Sequence, residues 1–593
     1  MTAAPIRYVI SSADLAGHLF SVSCEIPSPA PDGQRLSLPA WIPGSYMVRD
    51  FAKNIVTISA MAEGKPVTLD KQDKHTWQAG RVPAGAALTV TYTVYAWDLS
   101  VRTAHLDQTH GFFNGTSVFL AVEGQTDRQC LVDIQPPPVN AIGNWRVATA
   151  MREAAGIDGA AHRHGFGWYS AENYDELIDH PVEMGDFALA SFTAGGVPHE
   201  VVLTGRQDCD VARLCDDLTR ICQWQIDLFG APPPMSRYLF LTMVVGDGYG
   251  GLEHRASTAL LTRRDDLPFH GMEGQTEGYR RFLGLCSHEY FHSWNVKRIR
   301  PAAFIPYDLS QETYTPLLWL FEGFTSYYDD LALVRSGVIS PEDYLGLLGK
   351  TITQVHKGSG RRKQSVAESS FDAWTKYYRQ DENAANAIVS YYSKGSLIAL
   401  ALDLQLRIGS DGKCSLDDLM RALWQAHGQT DVGVTEADVF DLVARLGGAA
   451  VARWLRKAVR GTDDLPLARW LKKFGVLAVR DAPKAPSLGA RLSGSSGAAS
   501  LAVVHEGSAA HRAGLSAGDT LIALDGLKVS ADTLEPMLAR RVAGDAVRLH
   551  VFRRDELMCF DAVLDEGDSP TRLEAVARPD ELARRLRRGW LGT

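Results

Sequence analysis

Two histidines bracket a glutamate in Ser287-His288-Glu289-Tyr290-Phe291-His292, and these residue types at this spacing suit metal-assisted hydrolysis. Side chains four apart stack on one face of an α-helix, so the imidazoles of His288 and His292 can close on one metal ion. Glu289 lies about 100° round the helix from His288, within reach of an activated water without ligating the metal. Hydrolytic zinc sites take three protein ligands and keep one position open, so a downstream carboxylate is required. Glu322, in Leu318-Trp319-Leu320-Phe321-Glu322-Gly323-Phe324, meets that need. Its helix is signalled by Thr315 as a cap, Pro316 in the first turn and Gly337 at the end. Glu312 is the rival ligand, but the helix start at Tyr314 to Pro316 leaves it in a loop. Among 17 histidines in 593 residues an H-E-x-x-H string arises by chance on the order of a few per cent of the time, so other motifs must carry the assignment.

The elements that must hold these residues fall into several domains, because 593 residues exceed what one core can organise. A hydrophobic content of 45% with 22% charged residues is that of a globular protein in water. The net charge of −9, with 61 basic and 70 acidic residues interspersed, excludes a polyanion-binding surface, so no nucleic-acid partner is expected. Eight cysteines show neither C-x-x-C spacing nor a disulfide framework, and a reducing compartment follows. Cys209, Cys215 and Cys222 fall in one helical pattern and are expected to pack. The chain enters strand-like Tyr8-Val9-Ile10 without a leader pattern, and no run of 18 apolar residues occurs. The expectation is a soluble cytoplasmic protein without a membrane partner.

Residues 1–195 alternate as β-strands do, with Leu88, Val90, Tyr92 and Val94 set against Thr89, Thr91 and Thr93, which predicts an antiparallel sandwich or saddle. Residues 196–480 predict a mainly helical domain. Val211, Leu214, Cys215, Leu218, Ile221 and Cys222 form one apolar face that Ala231-Pro232-Pro233-Pro234 ends. Tyr238 to Val245 reads as a short strand, and Ser415 to Ala426 and Thr435 to Leu446 read as helices. Thr435 and Asp438 form a capping box. Asp481 to Ser487 reads as a linker, and the arginine-rich tail 571–593 reads as a solvated amphipathic helix.

Ser287 to Asn295 (S-H-E-Y-F-H-S-W-N), paired with Leu318 to Asp330 (L-W-L-F-E-G-F-T-S-Y-Y-D-D), resembles the gluzincin metallopeptidases, and most closely the glycyl aminopeptidase family, relatives of the aminopeptidase N family. The spacer Ser293 to Phe321 is longer than in aminopeptidase N relatives and similar to that of glycyl aminopeptidases. Trp41-Ile42-Pro43-Gly44-Ser45-Tyr46 with Arg49-Asp50-Phe51 is similar to the same family. Trp41 to Tyr46 could line the cleft, although a Trp and a Tyr on a β-domain are more often core. The resemblance implies a thermolysin-like catalytic domain with one zinc per chain on His288, His292 and Glu322, and Glu289 as general base. Asp329 could support a ligand or be an exposed helical residue.

Gly250-Gly251-Leu252-Glu253-His254 resembles the G-A-M-E-N stretch of aminopeptidase N relatives, with His in place of Asn. That likeness implies an edge strand beside the metal whose Glu253 holds a free α-amino group, with Gly250 and Gly251 allowing close approach of substrate. Tyr391-Tyr392-Ser393-Lys394-Gly395 resembles the Y-x-K-G stretch, which implies Tyr392 as donor to the tetrahedral intermediate, with Tyr391 the alternative. Gly507 to Gly526 resembles a bacterial PDZ domain over 487–570, and Leu488-Gly489-Ala490-Arg491 resembles its carboxylate loop. Such a domain takes a peptide or protein C-terminus onto a sheet edge. The activity implied is removal of N-terminal glycine or alanine from peptides with a free N-terminus. Two rivals are a PDZ-guided endopeptidase, to which Glu253 would be of no use, and a non-catalytic peptide-binding scaffold, against which the full set of metal and proton-transfer residues argues.

Overall fold

The structure is a computed structural model that describes residues 4–483, 485–493 and 498–592, so Lys484 of the expected linker lies outside the described residues. The chain forms two compact units, one running to Thr313 with Leu423–Gly433, the other comprising Tyr314–Ala422 and Val434 onward.

The first unit begins with an eight-stranded sheet and two four-stranded sheets. In Leu88–Tyr95 the apolar members Leu88, Val90, Tyr92 and Val94 are buried while the threonines face outward, the alternation a half-buried strand requires. The sheet is not wholly antiparallel as expected, because Ile6–Asp14 pairs in parallel with Cys130–Ile134. More than a hundred residues separate those strands, ample for the crossover that a parallel pair needs. A five-stranded sheet follows, with Tyr238–Val245 parallel to both Val197–Thr204 and Ser257–Arg263. Tyr238–Val245 is therefore an interior strand, which explains its nearly unbroken apolar run. Gly250–Glu253 pairs antiparallel with Ser257–Arg263 and is the edge strand.

Two capped helices pack in this unit. Asp210 caps Val211–Phe229 by accepting from the Arg213 amide at 3.2 Å, so Cys209 precedes the helix and does not share its face. Thr276 caps Glu277–Phe291 by accepting from the Tyr279 amide at 3.0 Å.

In the second unit the helix Leu318–Arg335 is buried almost throughout. Thr315 is not its cap: the helix opens three residues later, and the Thr315 hydroxyl accepts from the Leu317 amide at 3.3 Å. Gly337 follows the end at φ 73°, in the left-handed region that favours glycine. Ser393–Gly409 packs against this helix. The Thr435 and Asp438 capping box opens Glu436–Arg460, which runs past Leu446 and breaks at Gly448. The helix expected at Ser415 to Ala426 is α-helical over Leu416–Leu423 and then turns through a π segment, Trp424–Gly428.

Beyond residue 487 a six-stranded sheet and the short helices Ala509–Ala513 and Ala531–Leu538 enclose their own core, which includes Leu501, Leu521, Leu549 and Val551. The tail is not a solvated helix. Thr571–Ala575 pairs antiparallel with Val476–Arg480, and Glu581–Leu591 buries Ala583, Leu586, Trp590 and Leu591. Trp590 Nε1 donates to Tyr327 Oη at 3.0 Å, and Arg335 Nε donates to the Trp590 carbonyl at 2.8 Å. The spacing Ala583, Leu586, Trp590 carries this apolar stripe through the arginines. Among the described residues no helix is long and apolar enough to cross a membrane.

Candidate active site

In the first unit, His288 lies in the last turn of Glu277–Phe291 and His292 takes its C-cap position. Their Nε2 atoms stand 3.0 Å apart, aimed at each other. His292 Nδ1 lies 2.7 Å from the Asn295 carbonyl, the partner that a ring N–H needs, which leaves the Nε2 lone pair for a ligand. Two imidazole nitrogens converging this way are the donor chemistry that zinc takes, so the residues present fit such an ion. Val296, in the turn that follows, sits at φ 107°, a conformation costly for a β-branched residue.

Glu289 faces the edge strand. A Cβ on Gly251 would stand 2.1 Å from a Glu289 carboxylate oxygen, so only glycine lets the strand run this close. Arg102 Nη2 donates to the Gly251 carbonyl at 3.3 Å, holding the strand from its other side. Glu253 at the end of this strand is 3% exposed, and ligand atoms of Glu253, Glu289 and His292 all lie within 4.8 Å of one another. The loop Trp41 to Tyr46 meets this carboxylate through Gly44, where a Cβ would stand 2.5 Å from a Glu253 oxygen. Trp41 and Tyr46 themselves are core: Trp41 Nε1 donates to the Asp308 carbonyl at 2.8 Å, and Tyr46 stacks on Phe304.

His254 turns away from this cluster into a buried charge network. Its Nδ1 is 3.5 Å from Asp179, which also takes the Lys297 ammonium at 2.6 Å and the Arg255 amide at 2.8 Å. Burial raises the Asp179 carboxyl, but Lys297 and Arg255 outweigh it and hold the group well below the usual range. Glu312 is half-buried in an irregular segment.

In the second unit, Glu322 is 2% exposed on Leu318–Arg335. Near it stand Tyr377 and Tyr391, which with Tyr378 and Tyr392 form a cluster of rings. The Tyr391 hydroxyl is raised by burial, then by Tyr378 and the Glu322 carboxylate, and burial and Glu322 also raise Tyr377. Tyr391 is fully buried, whereas Tyr392 is half-buried at the N-cap position of Ser393–Gly409, its hydroxyl 3.3 Å from that of Tyr378. Asp329 is half-buried and accepts from the Asp330 amide at 2.6 Å.

The residues that sequence reasoning passed over are Asn295, Arg102, Asp179, Lys297, Tyr377 and Tyr378. Only Asn295 lies inside a quoted motif; Lys297 falls two residues past it, and the others come from other stretches with no local signature.

The family profile for the Peptidase M61 N-terminal domain matches residues 7–186, and that for M61 glycyl aminopeptidase matches residues 281–398. The crystal structure of an aminopeptidase N family protein from Idiomarina loihiensis is 44% identical over 98% of this chain and 100% of that one, with a TM-score of 0.94. An M1 zinc metallopeptidase from Deinococcus radiodurans is 13% identical over 79% of this chain and 95% of that one, with a TM-score of 0.49. A mutant of that protein bound to a Tyr-Ser-Ala substrate is 14% identical over the same shares, with a TM-score of 0.48. No curated protein matches the chain.

Proposed function

Because the chain belongs to the M61 glycyl aminopeptidase family, we propose that this metallopeptidase is a zinc aminopeptidase that removes glycine, and next alanine, from the N-terminus of peptides. One zinc per chain would be held by His288, His292 and Glu322, leaving a position open. The convergence of the two Nε2 atoms at 3.0 Å supports the histidine pair, and the burial of Glu322 on a rigid helix supports the carboxylate. When bound, such an ion acidifies a water molecule and polarises the scissile carbonyl.

The chain's own residues do the rest. Glu289 takes the proton of the attacking water and returns one to the leaving amine. Asn295 keeps the His292 ring in the tautomer that offers Nε2. Tyr392 donates a hydrogen bond to the developing oxyanion, with Tyr391 the alternative donor. Glu253 accepts from the substrate α-ammonium, a charge-assisted bond that offsets the unfavourable approach of two cations. Gly250 and Gly251 leave the edge strand open to the substrate backbone.

A single observation carries the reading: a second carboxylate, Glu253, lies beside the base and a histidine ligand, within 4.8 Å. An endopeptidase uses the same metal chemistry and has no use for it. Assay of glycyl and alanyl substrates with free and N-acetylated amines tests this, with cleavage confined to the free amines expected. Equal cleavage of both forms would give the endopeptidase reading its place. Residues 487–570 are proposed as a PDZ domain for a peptide or protein C-terminus, and the cysteine usage supports a cytoplasmic location.

A further inference from the structure

Within the second unit a cleft of about 480 Å³ separates the helical part from the C-terminal β module, a size typical of ligand sites. One wall includes Tyr377, Ser390 and Ser393, the other Arg491, Val503 and His505. The walls are fixed to each other. Asn386 donates from Nδ2 to the Val504 carbonyl at 2.9 Å and accepts through Oδ1 from the Glu506 amide at 2.9 Å, while Lys363 pairs with Glu506 at 2.6 Å.

The inner end of the cleft reaches the tyrosine cluster. The Tyr377 ring stacks on that of Tyr392 with centroids 5.6 Å apart, and Ser390 Oγ accepts from the Ser393 amide at 3.1 Å, one residue past Tyr392. Of the ionisable groups that line the cleft, Lys357, Arg361 and Arg491 are cationic and Asp381 is anionic, while burial holds the His505 imidazole below its usual value and so favours its neutral form. Lys357 is paired with Asp568 and Arg361 with Asp464, whereas Arg491 is exposed and has no ion-pair partner among the described residues. Arg491 is directed there by strand geometry. In Ala490–Ser493 the neighbours Ala490 and Leu492 pack on the module's core, so Arg491 between them faces outward into the cleft.

We propose that this cleft receives the part of the peptide downstream of the cleaved bond, and that Arg491 of the C-terminal β module recognises a carboxylate on it. The inference rests on the aminopeptidase reading and extends it: the module takes part in choosing substrates, favouring peptides with an acidic side chain or a free C-terminus near the cut.

Two peptide pairs test it on the full-length protein. One is a glycine-led pentapeptide as C-terminal acid and as amide; the other is an amidated pentapeptide with Glu or Gln at its third position. Wild-type protein should prefer the carboxylate member of at least one pair by about fivefold in kcat/KM, mainly through KM, as expected of a solvent-facing ion pair. The pair that shows the preference identifies the source of the carboxylate. Arg491→Glu should abolish or invert the preference, and Arg491→Lys should restore most of it. No preference in the wild type, or one that survives Arg491→Glu, overturns the proposal. Binding of the same peptides, labelled on an internal lysine, to Glu289→Gln protein by fluorescence anisotropy reads the cleft independently of turnover. A wild-type protein that cleaves no free-amine peptide would refute the aminopeptidase reading, while loss of carboxylate-dependent binding in Arg491→Glu would still support the cleft.

Discussion

Gly323 and Gly395 touch backbone to backbone: a Cβ built on Gly323 would stand 2.7 Å from the Gly395 Cα. This contact is where the helix bearing Glu322 crosses the helix that begins after Tyr392, and the same Cβ would meet the Tyr391 carbonyl at 2.8 Å. Gly323→Ala must push the helices apart, at a cost of about 1–3 kcal/mol for an overpacked core. The expected outcome is a lower Tm with a disproportionate loss of turnover, since both neighbours of the contact belong to the proposed site. Thermal melts alongside rate measurements check it, and a variant that loses stability without any loss of rate would contradict it.

Glu322→Gln should cost the protein its metal, because a neutral amide is a poor zinc ligand. Elemental analysis of purified protein gives the answer directly. A full zinc complement in Glu322→Gln, together with loss in Glu312→Gln, would transfer the ligand role to Glu312.

Glu289→Gln is expected to retain zinc and lose turnover, since the amide cannot accept the water's proton but leaves the imidazoles in place. For Tyr392→Phe the loss should be roughly 2.7–4 kcal/mol of transition-state stabilisation, expressed mainly in kcat. Steady-state kinetics on zinc-loaded variants separates the two tyrosines: the same loss in Tyr391→Phe with none in Tyr392→Phe would exchange their roles.

Glu253→Ala should raise KM for free-amine substrates and narrow their advantage over N-acetylated ones, with zinc content unchanged. Kinetics on matched free and acetylated pairs measures that ratio, and a ratio equal to wild type would remove Glu253 from amine recognition.

Glu183 offers a test of stability rather than catalysis. It is buried on Val182–Gly185, and burial pushes its carboxyl from the usual 4.5 up to about 7, with His110 pulling the other way and Asp107 adding to the rise. A carboxyl raised on folding contributes stability that is present below about 4.5 and lost as pH climbs through about 7. The Tm of Glu183→Gln relative to wild type should therefore increase across that window. Melting curves at several pH values check it, and a constant difference would show that Glu183 does not titrate there.

The local signals in the sequence reached far because they depend on near neighbours. The spacing of His288 and His292 requires only one helical turn, the Thr435 and Asp438 box only four residues, and the alternation at Leu88 to Val94 only one strand. Gly250 and Gly251 marked a close approach at the edge strand, but not what approached. Tertiary structure alone decided that Gly251 meets Glu289, that Gly44 meets Glu253, and that Asp179 draws both His254 and Lys297 to itself. It also decided that the arginine-rich tail docks through Trp590, and that Arg491 looks into a cleft shared with Tyr377. Each of those contacts joins residues tens to hundreds of positions apart. Periodicity and capping act over a few residues and carry no information about such partners, whereas burial, charge pairing and backbone clearance exist only once distant segments have been packed together.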